Sequence, residues 1–186
     1  LYTGLRDRDC ASMRFADVDF EVGTLSRPEP KGGRKRAFVI PVAEQVLDIF
    51  QRRRGENRFE VEHDHAYVFP ANRHKLGEPC ELCGGPCRVT CVQVAKLAGH
   101  EYSVAWNPHA LRRTFSAVAD EIEVPEKLLA VLLNHKPDPR NMTRRYPGRP
   151  SDDRLRNAAQ RIADALDERM QPASTGRVAA LAGGRR

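Results

Sequence analysis

The sequence contains no apolar run long enough to cross a membrane. A membrane-spanning helix needs about 18 consecutive apolar residues, and charged or polar residues interrupt every apolar stretch well before that length. No signal peptide is visible at the start of the chain either. We therefore expect a cytoplasmic protein that has no membrane partner.

An initiator methionine is also lacking, and the chain begins at Leu1 in what reads as the middle of a motif. We interpret the sequence as a fragment whose N-terminal region is missing. Its 186 residues suffice for one domain with a hydrophobic core but not for two. Residues 171–186 are rich in Ala, Gly and Arg, a composition that predicts a mobile basic tail.

Cysteine is scarce outside one short segment. Cys10 is isolated and is expected to be a small buried residue. The other four lie within residues 80–91, as Cys80, Cys83, Cys87 and Cys91. The first pair and the glycines after it have the form of a zinc knuckle, but only three residues separate the two pairs. A structural zinc site and an unmetallated insert both remain open, and disulfides are not expected in a reducing cytosol.

Positive charge is in excess, with a net charge of +6 and a pI of about 9.3. Such an excess favours a polyanionic partner such as nucleic acid, although it also serves solubility.

The residues that follow Asn107 predict a helix suited to phosphate chemistry. Asn107 is a good N-cap, and Pro108 suits the first helical position. His109 and Arg112 are three residues apart, which places them on one helix face. A buried stripe is predicted from the apolar residues at helical spacing, Leu111, Phe115 and Val118. The His/Arg pair should point away from this stripe.

A second helix is predicted to begin at Pro125 and to deliver His135 at its C-terminal end. It should lie inside the domain because it is apolar almost all round, with Leu128, Leu129, Val131, Leu132 and Leu133. The chain then breaks at Pro137 and Pro139 before it reaches Tyr146.

These residues resemble the C-terminal signature of the tyrosine recombinases, the phage integrase family. That signature is a His-x-x-Arg helix, a Leu-Leu-x-His helix end and a nucleophilic tyrosine. The resemblance implies that Arg112 and His135 hold the scissile phosphate, that His109 is the base, and that Tyr146 is the nucleophile. The gap between His135 and Tyr146 is slightly longer than the family's usual spacing.

The first forty residues continue the resemblance. The segment Thr3-Gly4-Leu5-Arg6, with Asp9 after it, resembles the family's first arginine motif, which implies that Arg6 binds phosphate and Asp9 orients the site. Residues 20–25 predict a hairpin strand and turn around Gly23. Residues 31–41 predict a glycine-rich basic turn that leads into an apolar strand. Lys31 matches the family's leaving-group acid. DNA-binding roles are expected for Arg34, Lys35, Arg36 and Arg113.

Three further elements complete the predicted fold. We expect a helix over residues 42–54 and a short strand over residues 66–70. A C-terminal amphipathic helix should begin at Ser151 and bury Leu155, Ala159, Ile162, Leu166 and Met170. The resemblance covers residues 1–170, as one N-terminally truncated catalytic domain with a possible zinc insert at 80–91. It implies an α+β fold, mainly α-helical with a small antiparallel β-sheet.

The function implied by the resemblance is site-specific recombination by an integrase, a DNA strand transferase. Such an enzyme cleaves and rejoins double-stranded DNA through a 3′-phosphotyrosine, as a homo-oligomer, with a tetramer expected on DNA. No cofactor is required for this reaction, and zinc would be structural. A type IB topoisomerase, a non-cleaving DNA-binding remnant and a zinc-dependent interaction module are the alternatives.

Overall fold

The computed structural model describes residues 1–56, 67–70, 107–135 and 148–171. Within these ranges, five α-helices accompany one small sheet, which confirms the predicted mainly α-helical α+β architecture. The elements are α1 Asp7–Ala11, β1 Val18–Asp19, β2 Thr24–Arg27, β3 Phe38–Pro41, α2 Glu44–Gly55, α3 Pro108–Glu121, α4 Glu126–Leu132 and α5 Asp152–Met170. Among the described residues, no helix is both long and apolar enough to span a membrane.

The sheet is antiparallel and follows chain order, β1-β2-β3. Leu25 lies opposite Val18 on one side and Ile40 on the other, and all three side chains are buried. Gly23 has a φ of +69° between β1 and β2, and the basic turn between β2 and β3 contains two more glycines with positive φ. Both predicted hairpins are therefore present, with β1 beginning at Val18.

The strand predicted over residues 66–70 is wrong for the part that the structure describes. Tyr67 forms an isolated antiparallel bridge with Arg14, and the Val68 N–H donates to the Met13 carbonyl at 2.9 Å. The Val68 carbonyl also accepts from Arg53 Nε at 3.4 Å, and Val68 is only 1% exposed. These contacts anchor the segment without adding a strand to the sheet.

The C-terminal helix α5 packs against α3, α4 and β3 and closes the core. Most of the predicted stripe is buried, namely Leu155, Ala159, Ile162 and Leu166. Met170 was predicted to belong to it but is 49% exposed, because the last turn of α5 extends beyond the core. The helix α2, predicted over residues 42–54, buries Val46 and Phe50.

The first residues of the chain are fastened to α5. The Tyr2 hydroxyl donates to the Asp167 carboxylate, which also accepts from Gln45 of α2 at 2.8 Å. Desolvation, together with the bond to Asp167, raises the pKa of Tyr2 to about 12. These contacts hold the segment that leads into Gly4 and Arg6 against the helical layer.

Candidate active site

The N-terminus of α3 is capped as the sequence predicts. The Asn107 side chain accepts from the His109 backbone N–H at 2.9 Å, and Pro108 occupies the first turn. His109 is exposed at this end of the helix, and Arg112 follows one turn later.

Arg112 is buried, contrary to the prediction that it points away from the apolar stripe. Only 7% of the residue is exposed. Its Nη1 donates to the Gly4 carbonyl at 2.6 Å, and its Nη2 donates to the Leu133 carbonyl at 2.8 Å. The two carbonyls replace the water that the guanidinium loses, which makes burial tolerable. They also fix the plane of the guanidinium.

Gly4 allows its carbonyl to reach Arg112. Its φ is +56°, in the left-handed region that glycine tolerates best. A Cβ at this position would lie 2.6 Å from Phe115 Cδ1 and 2.7 Å from Leu133 Cδ2, closer than real side chains approach. The glycine of the first arginine motif is therefore needed for a close approach of backbone to core.

The C-terminal end of α4 supplies the second carbonyl. The helix ends at Leu132, and Asn134 adopts a left-handed φ of +47°. The Asn134 N–H donates to the Val131 carbonyl and the His135 N–H to the Ala130 carbonyl, which together form a Schellman motif. His135 therefore lies just beyond the helix end.

Arg6, Arg112 and His135 form one electrostatic cluster, with Asp9 beside it. Desolvation, and then the charge of Arg6, lower the pKa of Arg112 to about 10, while the buried carboxylate of Asp9 acts in the opposite direction. Desolvation, followed by the charges of Arg112 and Arg6, lowers the pKa of His135. At neutral pH, Arg112 is thus charged and His135 neutral, and the positive charge gathered here favours an anion.

The basic turn between β2 and β3 lies against the same helix end. Arg36 Nη2 donates to the Asn134 carbonyl at 3.2 Å. Lys31 and Lys35 are exposed on this turn, and Arg34 pairs at the surface with Glu29. Arg113, on α3, is also exposed.

The predicted nucleophile and the predicted zinc ligands lie outside the described residues, so their roles stay predictions. These residues are Tyr146, Cys80, Cys83, Cys87 and Cys91. Within the described ranges, no group of three or more His, Cys, Asp or Glu side chains converges in a way that could hold a metal ion.

Sequence reasoning missed Arg27, which is 3% exposed. Its guanidinium forms an ion pair with Asp17 at 2.7 Å and donates to the Ser12 hydroxyl at 2.7 Å. The strand's two-residue period was the available signal, because Arg27 shares a face with the buried Leu25. This ion pair links β2 to the segment between α1 and β1.

The described residues thus form a mainly helical fold with a small antiparallel sheet, in which the buried Arg112 shares one positively charged cluster with Arg6 and His135. The family described as the phage integrase family matches residues 1–149, and the chain belongs to it. Tyrosine recombinase XerA from Pyrococcus furiosus is 26% identical over 135 residues, which are 72% of this chain and 42% of that protein. Prophage integrase IntF from Escherichia coli is 26% identical over 137 residues, which are 74% of this chain and 27% of that protein.

Two solved structures share the fold. The integrase from mycobacterium phage Brujita aligns with a TM-score of 0.59 at 18% identity, covering 96% of this chain and 52% of that chain. A XerA recombinase aligns with a TM-score of 0.51 at 15% identity, covering 93% and 54%. The chain thus spans less than half the length of the two curated relatives above and about half of these structures.

Proposed function

We propose that the protein is a site-specific DNA recombinase that cleaves and rejoins DNA strands through a 3′-phosphotyrosine. The observation that carries this proposal is the buried Arg112 fork, which the Gly4 and Leu133 carbonyls orient beside Arg6 and His135. The names of the two relatives, a tyrosine recombinase and a prophage integrase, support the same reaction.

The phosphate clamp accounts for the electrostatic part of catalysis. Arg6 and Arg112 donate charge-assisted hydrogen bonds to the non-bridging oxygens of the scissile phosphate, and neutral His135 donates one more. Negative charge grows on these oxygens as phosphorus becomes five-coordinate, so donors fixed in advance stabilise the transition state more than the ground state. Asp9 limits the repulsion that the buried cation of Arg112 would otherwise feel.

The chemical step needs one nucleophile, one base and one acid. The Tyr146 hydroxyl attacks phosphorus, and its proton passes to His109, since an unperturbed tyrosine has a pKa of about 10. The bond from phosphorus to the 5′-oxygen breaks, and the ammonium of Lys31 protonates that oxygen. The phosphotyrosine conserves the bond energy, so a 5′-hydroxyl of a second strand can reverse the step without a nucleotide or metal cofactor.

DNA is the proposed partner, and the exposed cations around the site provide its backbone contacts. Arg34, Lys35 and Arg113 are exposed near the clamp, and contacts of this kind give affinity without sequence preference. Strand exchange requires two duplexes to be cut in one complex, which a homotetramer on DNA in the cytoplasm would provide. Any zinc bound by the cysteine cluster is proposed to be structural.

Covalent trapping tests the proposal. The full-length protein is mixed with a duplex that carries its recombination site and a nick next to the cleavage position, so the cut fragment diffuses away. We expect a protein–DNA adduct that survives denaturation. A non-cleaving remnant or a zinc-dependent interaction module would give none, and a topoisomerase would form adducts but would relax supercoiled DNA without joining paired sites.

A further inference from the structure

The Arg36 side chain is turned toward the protein, although the basic turn that carries it is largely exposed. Arg36 is half-buried, and its Nη2 donates to the carbonyl of Asn134, the residue that precedes His135. By contrast, the Arg34 side chain in the same turn is 86% exposed and pairs with Glu29 at the surface. Two arginines of one three-residue 3-10 turn therefore have different environments.

The same side chain packs over the residue that follows Lys31. Gly32 has a φ of +115°, and a Cβ there would lie 2.6 Å from Arg36 Cδ and 3.4 Å from its Cγ. The backbone of the turn is closed by bonds from the Gly33 N–H to the Pro30 carbonyl and from the Arg36 N–H to the Gly33 carbonyl, both 2.9 Å. Arg36 thus contacts both the backbone next to Lys31 and the end of α4.

The C-terminal end of α4 accepts hydrogen bonds from two guanidinium groups, those of Arg112 and Arg36. Carbonyls at a helix C-terminus carry partial negative charge, which stabilises cations placed against them. The Leu133 carbonyl accepts from Arg112, and the next carbonyl, that of Asn134, accepts from Arg36. Successive carbonyls at one helix end therefore hold both the Arg112 guanidinium and the basic turn.

We propose that Arg36 is a positioning residue that fixes Lys31, the acid for the departing 5′-oxygen, relative to the Arg112 clamp. This inference rests on the proposed function. It assigns Arg36 a role distinct from that of Arg34 and Lys35, which face solvent and contact the DNA backbone.

A substrate with sulfur in place of the 5′-bridging oxygen tests the inference. When the phosphorus–sulfur bond breaks, sulfur leaves as a thiolate and needs no proton. We expect Arg36→Ala to slow cleavage of the ordinary substrate about 100-fold, the scale of a roughly 1 Å misplacement of a catalytic group. On the sulfur substrate, the variant should cleave at close to the wild-type rate. Arg36→Lys, which keeps a donor for the Asn134 carbonyl, should recover part of the loss on the ordinary substrate.

Arg34→Ala is the matched control, since it removes the same charge from the same turn. Its loss should appear in DNA affinity and should be equal on both substrates. An equal loss for Arg36→Ala on both substrates would overturn the inference and make Arg36 a DNA contact. If the sulfur substrate also fails to restore cleavage by Lys31→Ala, Lys31 is not the acid, and the inference about Arg36 is overturned as well. Adduct formation by the wild type would still support the proposed function in either case.

Discussion

Replacing Gly4 by alanine tests whether the backbone approach that orients Arg112 is built into the core. A left-handed backbone, here with a φ of +56°, costs a non-glycine residue about 1–2 kcal/mol. The added Cβ would lie 2.6 Å from Phe115 and 2.7 Å from Leu133, inside the packed core. Overpacking of this kind costs about 1–3 kcal/mol. We expect Gly4→Ala to lower the free energy of unfolding by about 2–5 kcal/mol.

Urea unfolding of Gly4→Ala, compared with that of Gly23→Ala, separates the cost of the left-handed backbone from the cost of overpacking. Gly23 has a similar φ of +69°, but its Cβ would meet Leu47 at an ordinary 3.4 Å. The control should therefore lose only the backbone term, about 1–2 kcal/mol, with an unchanged m value in both variants. Equal losses would refute the argument, because they would mean that contact with Phe115 and Leu133 does not constrain residue 4.

Three further predictions concern the clamp and the cysteines. Arg112→Lys keeps the charge but loses the planar guanidinium, whose two nitrogens reach the two carbonyls, so adduct formation should fall far more than DNA affinity. Arg113→Lys should change neither much, and equal losses of cleavage and affinity in Arg112→Lys would reduce Arg112 to a binding residue. His135 should titrate below its ordinary 6.5 in an NMR experiment on the free protein. Its neutral form then stabilises the fold above pH 6.5, and this contribution should be lost as the pH falls through the lowered pKa. A bound phosphate analogue should raise that pKa, and an unchanged value would contradict the clamp. The purified protein should contain about one zinc per chain if the four clustered cysteines form a closed site, and Cys83→Ser, but not Cys10→Ser, should remove it. Chelation should then lower thermal stability. Purified protein that contains no metal and has four freely titratable thiols in that cluster would contradict the predicted zinc site.

Local signals in the sequence were sufficient for much of the fold. The Asn107 cap, the glycines of the two hairpins and the stripe of α5 act within a few residues, so pattern and spacing reveal them. The end of α4 belongs to this class too, since Asn134 is a residue type that accepts the left-handed conformation of a helix end.

The orientation of the charged side chains could not be predicted in the same way. Arg112 is held by carbonyls 108 and 21 residues away in sequence, and any residue type can supply a carbonyl. The spacing in the sequence predicted that Arg112 lies on the same helix face as His109. It could not show that the Gly4 and Leu133 carbonyls lie within reach of the guanidinium. Arg36 is a similar case, because its acceptor lies 98 residues away.

Identification of the residue that carries the DNA tests the central claim most directly. The trapped adduct of the full-length protein is digested with nuclease and protease, and the modified peptide is sequenced by mass spectrometry. The proposed mechanism predicts a nucleotide remnant on Tyr146 and no adduct from Tyr146→Phe. A modified peptide containing Tyr102 instead, or an adduct that persists in Tyr146→Phe, would contradict it.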